Sequence, residues 1–225
     1  MRVLRGRAAT VDADRDATAR MLSTTGEDGE PALRVWTPHR QVAFGRRDAR
    51  ADGYDAARAA AADRGFQPVE RDVGGRAVAY AGSTLAFALA EPVADLRGGI
   101  DERYERATAA VQRALRSVGV DAERGEPADA FCPGTHSLRS DGKLVGIAQR
   151  VRQDAALVAG VVIVTDREEL ATVLTDVYGA LGVPFDPDSV GSVAAAGGPA
   201  EPEPVRAAIE GAFVGDRDAA VERVD

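Results

Sequence analysis

Lys143-Leu144-Val145-Gly146-Ile147-Ala148-Gln149-Arg150-Val151, then Arg152-Gln153-Asp154-Ala155, then Ala156-Leu157-Val158-Ala159-Gly160-Val161-Val162-Ile163-Val164 is the stretch that decides the fold. Two apolar-rich runs of strand length around four connecting residues read as a hairpin, with β-branched side chains concentrated in the second arm. A hairpin makes its arms antiparallel neighbours, whereas a parallel pair needs a long crossover.

Upstream, residues 77–80 and 85–89 bracket Ala81-Gly82-Ser83-Thr84, and the same logic predicts a second hairpin. Residues 101–117 follow as a helix capped by Asp101. Its apolar stripe is Tyr104, Ala107, Ala110, Val111 and Leu115, and Gly119 ends it. Nearer the N-terminus, residues 2–7, 33–36, 41–44 and 67–70 have strand character. Helices are expected over 12–22, with Asp12 as the cap, and over the alanine-rich 53–64, stopped by Gly65. Downstream come an amphipathic helix over 168–181, a Pro/Gly-rich connector over 182–204 that could serve as a linker, and a short helix over 205–214. The fold class expected is α+β, a largely antiparallel sheet with packed helices, rather than a doubly wound parallel sheet. Residues 1–225 are expected to form one domain, with no repeat, second core or C-terminal accessory domain.

The chain has 225 residues, 45% apolar and 28% charged, and its longest aliphatic run, Val161 to Val164, is strand-sized. No transmembrane span is expected, and the first residues turn polar before a signal-peptide core can form. Thirty-six acids against 28 bases leave a net charge of -8, a poor surface for nucleic acid. One cysteine excludes an internal disulfide and fits a reducing cytoplasm. There is no asparagine, and Lys143 is the only lysine among the 28 bases. That arginine habit, with the acidity, reads as a high-GC and salt-loving background. A compact ammonium differs from a guanidinium where a point charge must reach one atom, so Lys143 is either such a charge or a leftover surface residue.

Three local patterns could carry chemistry. Arg71-Asp72-Val73-Gly74-Gly75-Arg76-Ala77-Val78 sets two glycines between arginines, as a ligand loop or a sheet bulge. It matches neither a dinucleotide fingerprint nor a phosphate loop. Phe131-Cys132-Pro133-Gly134-Thr135 puts a thiol at a turn, as a nucleophile or a half-buried structural cysteine. His136 could serve that thiol as a base or be a solvated turn residue, and His39 reads as a loop residue. No metal site is expected from two histidines and one cysteine.

The glycine loop followed by Leu85-Ala86-Phe87-Ala88-Leu89, together with Gly142-Lys143-Leu144-Val145-Gly146-Ile147-Ala148-Gln149-Arg150, resembles the biotin/lipoate protein ligase and octanoyltransferase superfamily. The Cys132 turn, eleven positions before Lys143, resembles its cysteine-dependent octanoyl amidotransferases. Departures are Val73 where the family has Ser or Thr, and Tyr80 where many members have His. The resemblance implies a lipoate-metabolism acyltransferase, moving an octanoyl or lipoyl group from octanoylated glycine cleavage H protein to E2 lipoyl domains without a cofactor. In it Cys132 forms a thioester and Lys143 stabilises the acyl carbonyl. Arg71, Gly74, Gly75, Arg76, Ala77, Gly146 and Ala148 bind the substrate. The alternatives are an ATP- and magnesium-dependent lipoate-protein ligase, with or without a separate accessory subunit, and a non-catalytic lipoyl-carrier binding module. No nucleic acid or membrane partner is implied.

Overall fold

The computed structural model describes residues 1–71, 74–95, 98–152 and 154–225. Asp72 and Val73 of the glycine loop and Gln153 of the hairpin connection lie outside the described residues. In chain order the elements are β1 (Arg2–Gly6), α1 (Val11–Asp28), β2 (Ala32–Trp36), β3 (Gln41–Phe44), α2 (Tyr54–Asp63), β4 (Gln67–Glu70), β5 (Val78–Tyr80) and β6 (Leu85–Pro92). Then follow α3 (Ile100–Ser117), β7 (Glu123–Arg124), β8 (Ser137–Ser140), β9 (Gly142–Val151), β10 (Ala155–Val162), α4 (Arg167–Ala180), a 3-10 turn (Pro187–Ser189), α5 (Pro202–Val214) and β11 (Ala220–Val224).

The α+β expectation holds. Eight strands form one sheet in the order β11-β1-β2-β6-β10-β9-β8-β7, antiparallel from β2 to β7, with β1 parallel to both β2 and β11. The hairpin that opened the reading is present as β9–β10, with Ala159 opposite Ala148.

The second expected hairpin is not formed. β5 pairs with β3 in a separate three-stranded sheet, β4-β3-β5, while β6 crosses into the large sheet between β2 and β10. The turn chemistry shows why the chain switches layers. Thr84 Oγ1 accepts the Ala81 N–H at 3.1 Å, and the Ser83 hydroxyl donates to Asp166 at 2.6 Å, tying the turn to the start of α4. The caps also differ from expectation. Thr10, not Asp12, caps α1 by accepting from the Ala13 N–H, which leaves Asp12 and Asp14 in the first turn beside the helix's positive end. Gly99, not Asp101, occupies the cap position of α3. Residues 182–204 are not a linker: Val190 and Val193 are buried, and the Gly191 and Val193 N–H groups donate to the carbonyls of Lys143 and Ile163.

Alternation along β6 divides the large sheet into two different faces. Leu85, Phe87 and Leu89 join Leu33, Val35 and Val158 in a core closed by Val111 and Leu115 of α3 and Ile209 and Phe213 of α5. Each such large side chain contributes about 1.5–3 kcal/mol by leaving water. Ala88 and Ala90 belong to the other face, with Met21 and Leu22 of α1. Beside them, a further core packs the small sheet and helices α2 and α4 against Val161 and Ile163. Because Ala86, Ala88, Ala148 and Ala159 carry so little volume, α1 and the small sheet do not close onto that part of the sheet, and a cavity remains.

Candidate active site

The cavity has a volume of about 680 Å³ and a partly apolar lining. Its floor is the alanine face just described. Trp36, Leu22 and Leu157 line it, and so do Cys132, Arg71 and Lys143. The walls are closed by Val78 and Tyr80 of the small sheet and Tyr104 of α3.

Cys132 follows the fully packed Phe131 and has φ of 41°, a left-handed conformation that a non-glycine residue adopts only when its surroundings over-determine it. Three contacts fix it. Its N–H donates to the Tyr178 hydroxyl at 2.7 Å, and that hydroxyl donates on to the Ala77 carbonyl at 3.0 Å. Its carbonyl accepts from Lys143 Nζ at 2.9 Å. Its sulfur lies 3.0 Å from Arg71 Nη2. Burial pushes the thiol up, but the Arg71 guanidinium, the Arg76 and Gly75 backbone amides and the Lys143 ammonium outweigh it, leaving the thiol below its ordinary value.

Lys143 is completely buried. Its ammonium donates to the carbonyls of Phe131 and Cys132, both at 2.9 Å, and to Glu126 Oε1 at 2.8 Å, so all three protons are engaged. Burial lowers its basicity and the Glu126 carboxylate restores part of the loss. The other Glu126 oxygen accepts from the Gly134 N–H at 3.1 Å and from the Ser137 hydroxyl. One carboxylate therefore binds the lysine and both sides of the thiol turn. Sequence reading missed Glu126, which lies in an aperiodic loop between β7 and β8. The indirect signal was that a buried lysine demands a carboxylate partner.

The glycine loop crosses the mouth of the small sheet. Gly74 has φ of 90°, and a Cβ there would lie 2.6 Å from Arg71 Nη2, so the loop turns and packs against the guanidinium only as glycine. The Gly75 carbonyl approaches Gly45 so closely that a Cβ on Gly45 would meet it at 2.4 Å. Gly74, Gly75, Gly146 and Ala148 line the cavity together with Arg71, Cys132 and Lys143. Arg76 and Ala77 do not: the Arg76 guanidinium turns to the buried Asp48 carboxylate at 3.2 Å, and Ala77 is buried behind the loop. His136 stacks its ring on Tyr104, centroids 4.0 Å apart, and His39 bonds the Ala8 carbonyl. Among the described residues no cluster of three His, Cys, Asp or Glu could hold a metal ion.

Also on the cavity lining, Asp14 bonds the fully buried Arg34 and accepts from Trp36 Nε1 at 2.9 Å. Arg34 also donates to the Asp14 carbonyl and the Thr18 hydroxyl at 2.9 Å. This buried pair pins α1 to β2.

A mixed sheet with one alanine-lined face, a second small sheet and a glycine loop at the cavity mouth is the architecture of a lipoyl protein ligase A/B catalytic domain. The sequence profile of that family matches residues 16–213, and the chain belongs to it. Similar curated proteins are octanoyl-[GcvH]:protein N-octanoyltransferases. That of Exiguobacterium sibiricum is 38% identical over 126 residues, covering 53% of this chain and 44% of the relative. That of another Exiguobacterium is 33% identical over 135 residues, covering 60% of this chain and 48% of the relative. The chain thus spans about half the length of the curated relatives it matches. Among solved structures, lipoate-protein ligase A bound with ATP superposes with a TM-score of 0.79 at 21% identity, covering all of this chain and 89% of the other. The bi-partite lipoate protein ligase of Thermoplasma acidophilum, solved with its E2 lipoyl domain, gives 0.68 at 20% identity, covering 100% and 87%. These likenesses establish the fold, and a fold alone does not fix a reaction.

Proposed function

We propose that the protein is an acyltransferase that moves an octanoyl or lipoyl group onto the lysine of lipoyl domains through a thioester on Cys132. The observation that carries this reading is the Cys132 sulfur, held on the lining of an alanine-floored cavity and 3.0 Å from a guanidinium. The thiolate attacks the acyl amide of a donor lysine, the C–N bond breaks, and the departing amine takes a proton. The acceptor lysine amine then attacks the thioester, loses a proton, and regenerates the thiolate. The relatives' names support octanoylated glycine cleavage H protein as donor and a protein as acceptor, and the Thermoplasma acidophilum neighbour, described with its E2 lipoyl domain, supports lipoyl domains in that role.

In this reading the acyl chain lies over Ala148, Gly146 and the facing alanines, and Gly74 and Gly75 close over it. Lys143 keeps the thiol turn in place while its charge helps the carbonyl oxygen bear developing negative charge. No cofactor takes part. The protein works in the cytoplasm, and its acid excess suits high salt. Among the described residues no helix is long and apolar enough to cross a membrane.

An ATP-dependent ligase on this scaffold would need cations free for phosphate beside the glycine loop. Here Arg71 faces the thiol and Arg76 faces Asp48, while the exposed Arg47 stands beside Gly75, so it is the Cys132–Arg71 contact, not a lack of cations, that favours the thioester. The deciding experiment is intact-protein mass spectrometry after mixing with octanoylated H protein, and separately with free octanoate or lipoate, ATP and magnesium. The expected result is an adduct from the H protein without ATP, labile to hydroxylamine and absent in Cys132→Ser. Acceptor modification only with ATP would replace this reading by the ligase. Failure of both arms would leave a carrier-binding module.

A further inference from the structure

A thiol nucleophile needs a group that keeps it ionised, and the first candidates are a histidine or a carboxylate. Among the described residues no hydrogen bond joins Cys132 Sγ to either. His136, four positions along the chain, spends its ring face on Tyr104. The titratable groups that face the sulfur are Arg71, Lys143, Tyr80 and Tyr178, with Glu126 reaching it only through Lys143. Lys143 has all three N–H bonds committed to oxygen. Both tyrosines are pushed by burial toward the neutral form and cannot serve as bases.

Arg71 is placed differently. It stands one residue past β4, anchored by its own N–H on the Phe44 carbonyl at 2.9 Å. The same Nη2 that lies 3.0 Å from the sulfur donates to the Arg76 carbonyl at 2.7 Å, so its position is set by the glycine loop. Among the described residues its buried Nε has no hydrogen-bond partner. A guanidinium placed this deep, with a donor left unpaired, is stabilised by a negative charge beside it.

We infer that Arg71 is the catalytic counter-ion of Cys132: the site runs on a Cys–Arg ion pair in place of a Cys–His pair, and the arginine is not a holder of a substrate anion. The assignment rests on the thioester reading. It gives the guanidinium two tasks. It holds the free enzyme as thiolate without a proton acceptor, and it makes the sulfur a good leaving group when the acceptor amine attacks the thioester. Because an arginine cannot deprotonate in this range, thiol reactivity then follows a single ionisation, with no second step from a general base.

The test is the pH dependence of iodoacetamide alkylation of the full chain, read by intact mass, for the wild type, Arg71→Gln and Arg71→Lys. The wild type is expected to show one midpoint below the ordinary thiol value of 9.0. Arg71→Gln is expected to raise it by about 1–3 pH units, the effect of removing an opposite charge in contact, and Arg71→Lys to return it toward the wild type. A folded Arg71→Gln protein with the wild-type midpoint overturns the ion pair. Should Arg71→Gln fail to melt cooperatively, Arg71→Lys decides: a depressed midpoint supports the pair, and one at the ordinary thiol value overturns it. Loosening of the glycine loop alone would lower the melting temperature without displacing the midpoint. Alkylation needs no acyl donor, so a midpoint that follows Arg71 in a protein that accepts no acyl group would keep the pair and discard the transferase. Acyl transfer with an Arg71-independent midpoint would do the reverse.

Discussion

The Lys143 ammonium and the Cys132 carbonyl lie 2.9 Å apart, and the lysine's other two protons go to Phe131 and Glu126. The lysine grips the backbone of the residue whose side chain reacts. Its location inside the protein is therefore as much a matter of stability as of chemistry.

Replacing Lys143 by Met is expected to destabilise the protein by at least about 1–3 kcal/mol, because two main-chain carbonyls and a carboxylate oxygen lose their donor. Lys143→Arg keeps the charge but forces a larger group into a filled site, at about 1–3 kcal/mol. Urea unfolding of both variants checks this, and a midpoint within error of the wild type would place the lysine's contacts outside the stability of the fold.

Cys132 should make stability depend on pH in a stated direction. The folded thiol lies below 9.0, so between the folded value and 9.0 the unfolded chain still holds a proton that the folded chain has released. Stability then rises with pH across that window, and the contribution is lost as pH falls through the folded value. The stability difference between the wild type and Cys132→Ser, followed by denaturant titration from neutral pH upward, should widen as pH approaches 9.0 and then level off. A difference that stays constant would mean the thiol is not held as an anion.

Ala159 faces both Ala88 and Ala148 across the large sheet. A leucine there would extend into the cavity that Ala159 lines at the edge of the Met21–Leu22–Leu157 core. Ala159→Leu is expected to keep the melting temperature within a few degrees and to favour short acyl donors over octanoyl ones. Adduct yields from butanoyl and octanoyl carriers measure it, and an unchanged ratio would move the acyl chain elsewhere.

Asp14→Ala would leave Arg34, 0% exposed, without the carboxylate it pairs with among the described residues. Removing one partner of such a buried pair costs about 3–5 kcal/mol. Loss of folded protein at ordinary temperature, or a large fall in melting temperature, is the expected result by calorimetry. A mild effect would show that water reaches the guanidinium.

The parts of this molecule that repeat a local period were readable from sequence. The β9–β10 hairpin and the amphipathic α3 each announce themselves within a dozen or so residues. Partner choice was not readable. Val78–Tyr80 and Leu85–Leu89 have the composition of hairpin arms, yet β5 and β6 join different sheets, and the turn between them is held through Ser83 by Asp166, 83 positions away. The two-residue β7 and the exposed β11 exist through pairing and not through pattern. At the site, Cys132, Lys143 and the glycines stood out by rarity and motif. Arg71 was expected to bind substrate, and its contact with sulfur depends on a 61-residue separation that no spacing rule encodes. The alternation of large and small side chains in Leu85-Ala86-Phe87-Ala88-Leu89-Ala90 was present in the sequence from the start, and it foretold a sheet with one face left open.

β11 lies alongside β1 from Arg2 to Gly6, so strands from nearly opposite ends of the sequence are immediate neighbours. Such a contact closes a very long loop and is slow to find, and the edge of β1 stays unpaired until it forms. A ribosome-bound chain, even with β2, β6 and β10 already emerged, would carry that bare edge until Ala220–Val224 appeared. Assembly of the sheet's outer margin is thereby deferred until β11 has emerged, and the interval before it is when misassociation between chains is most favoured.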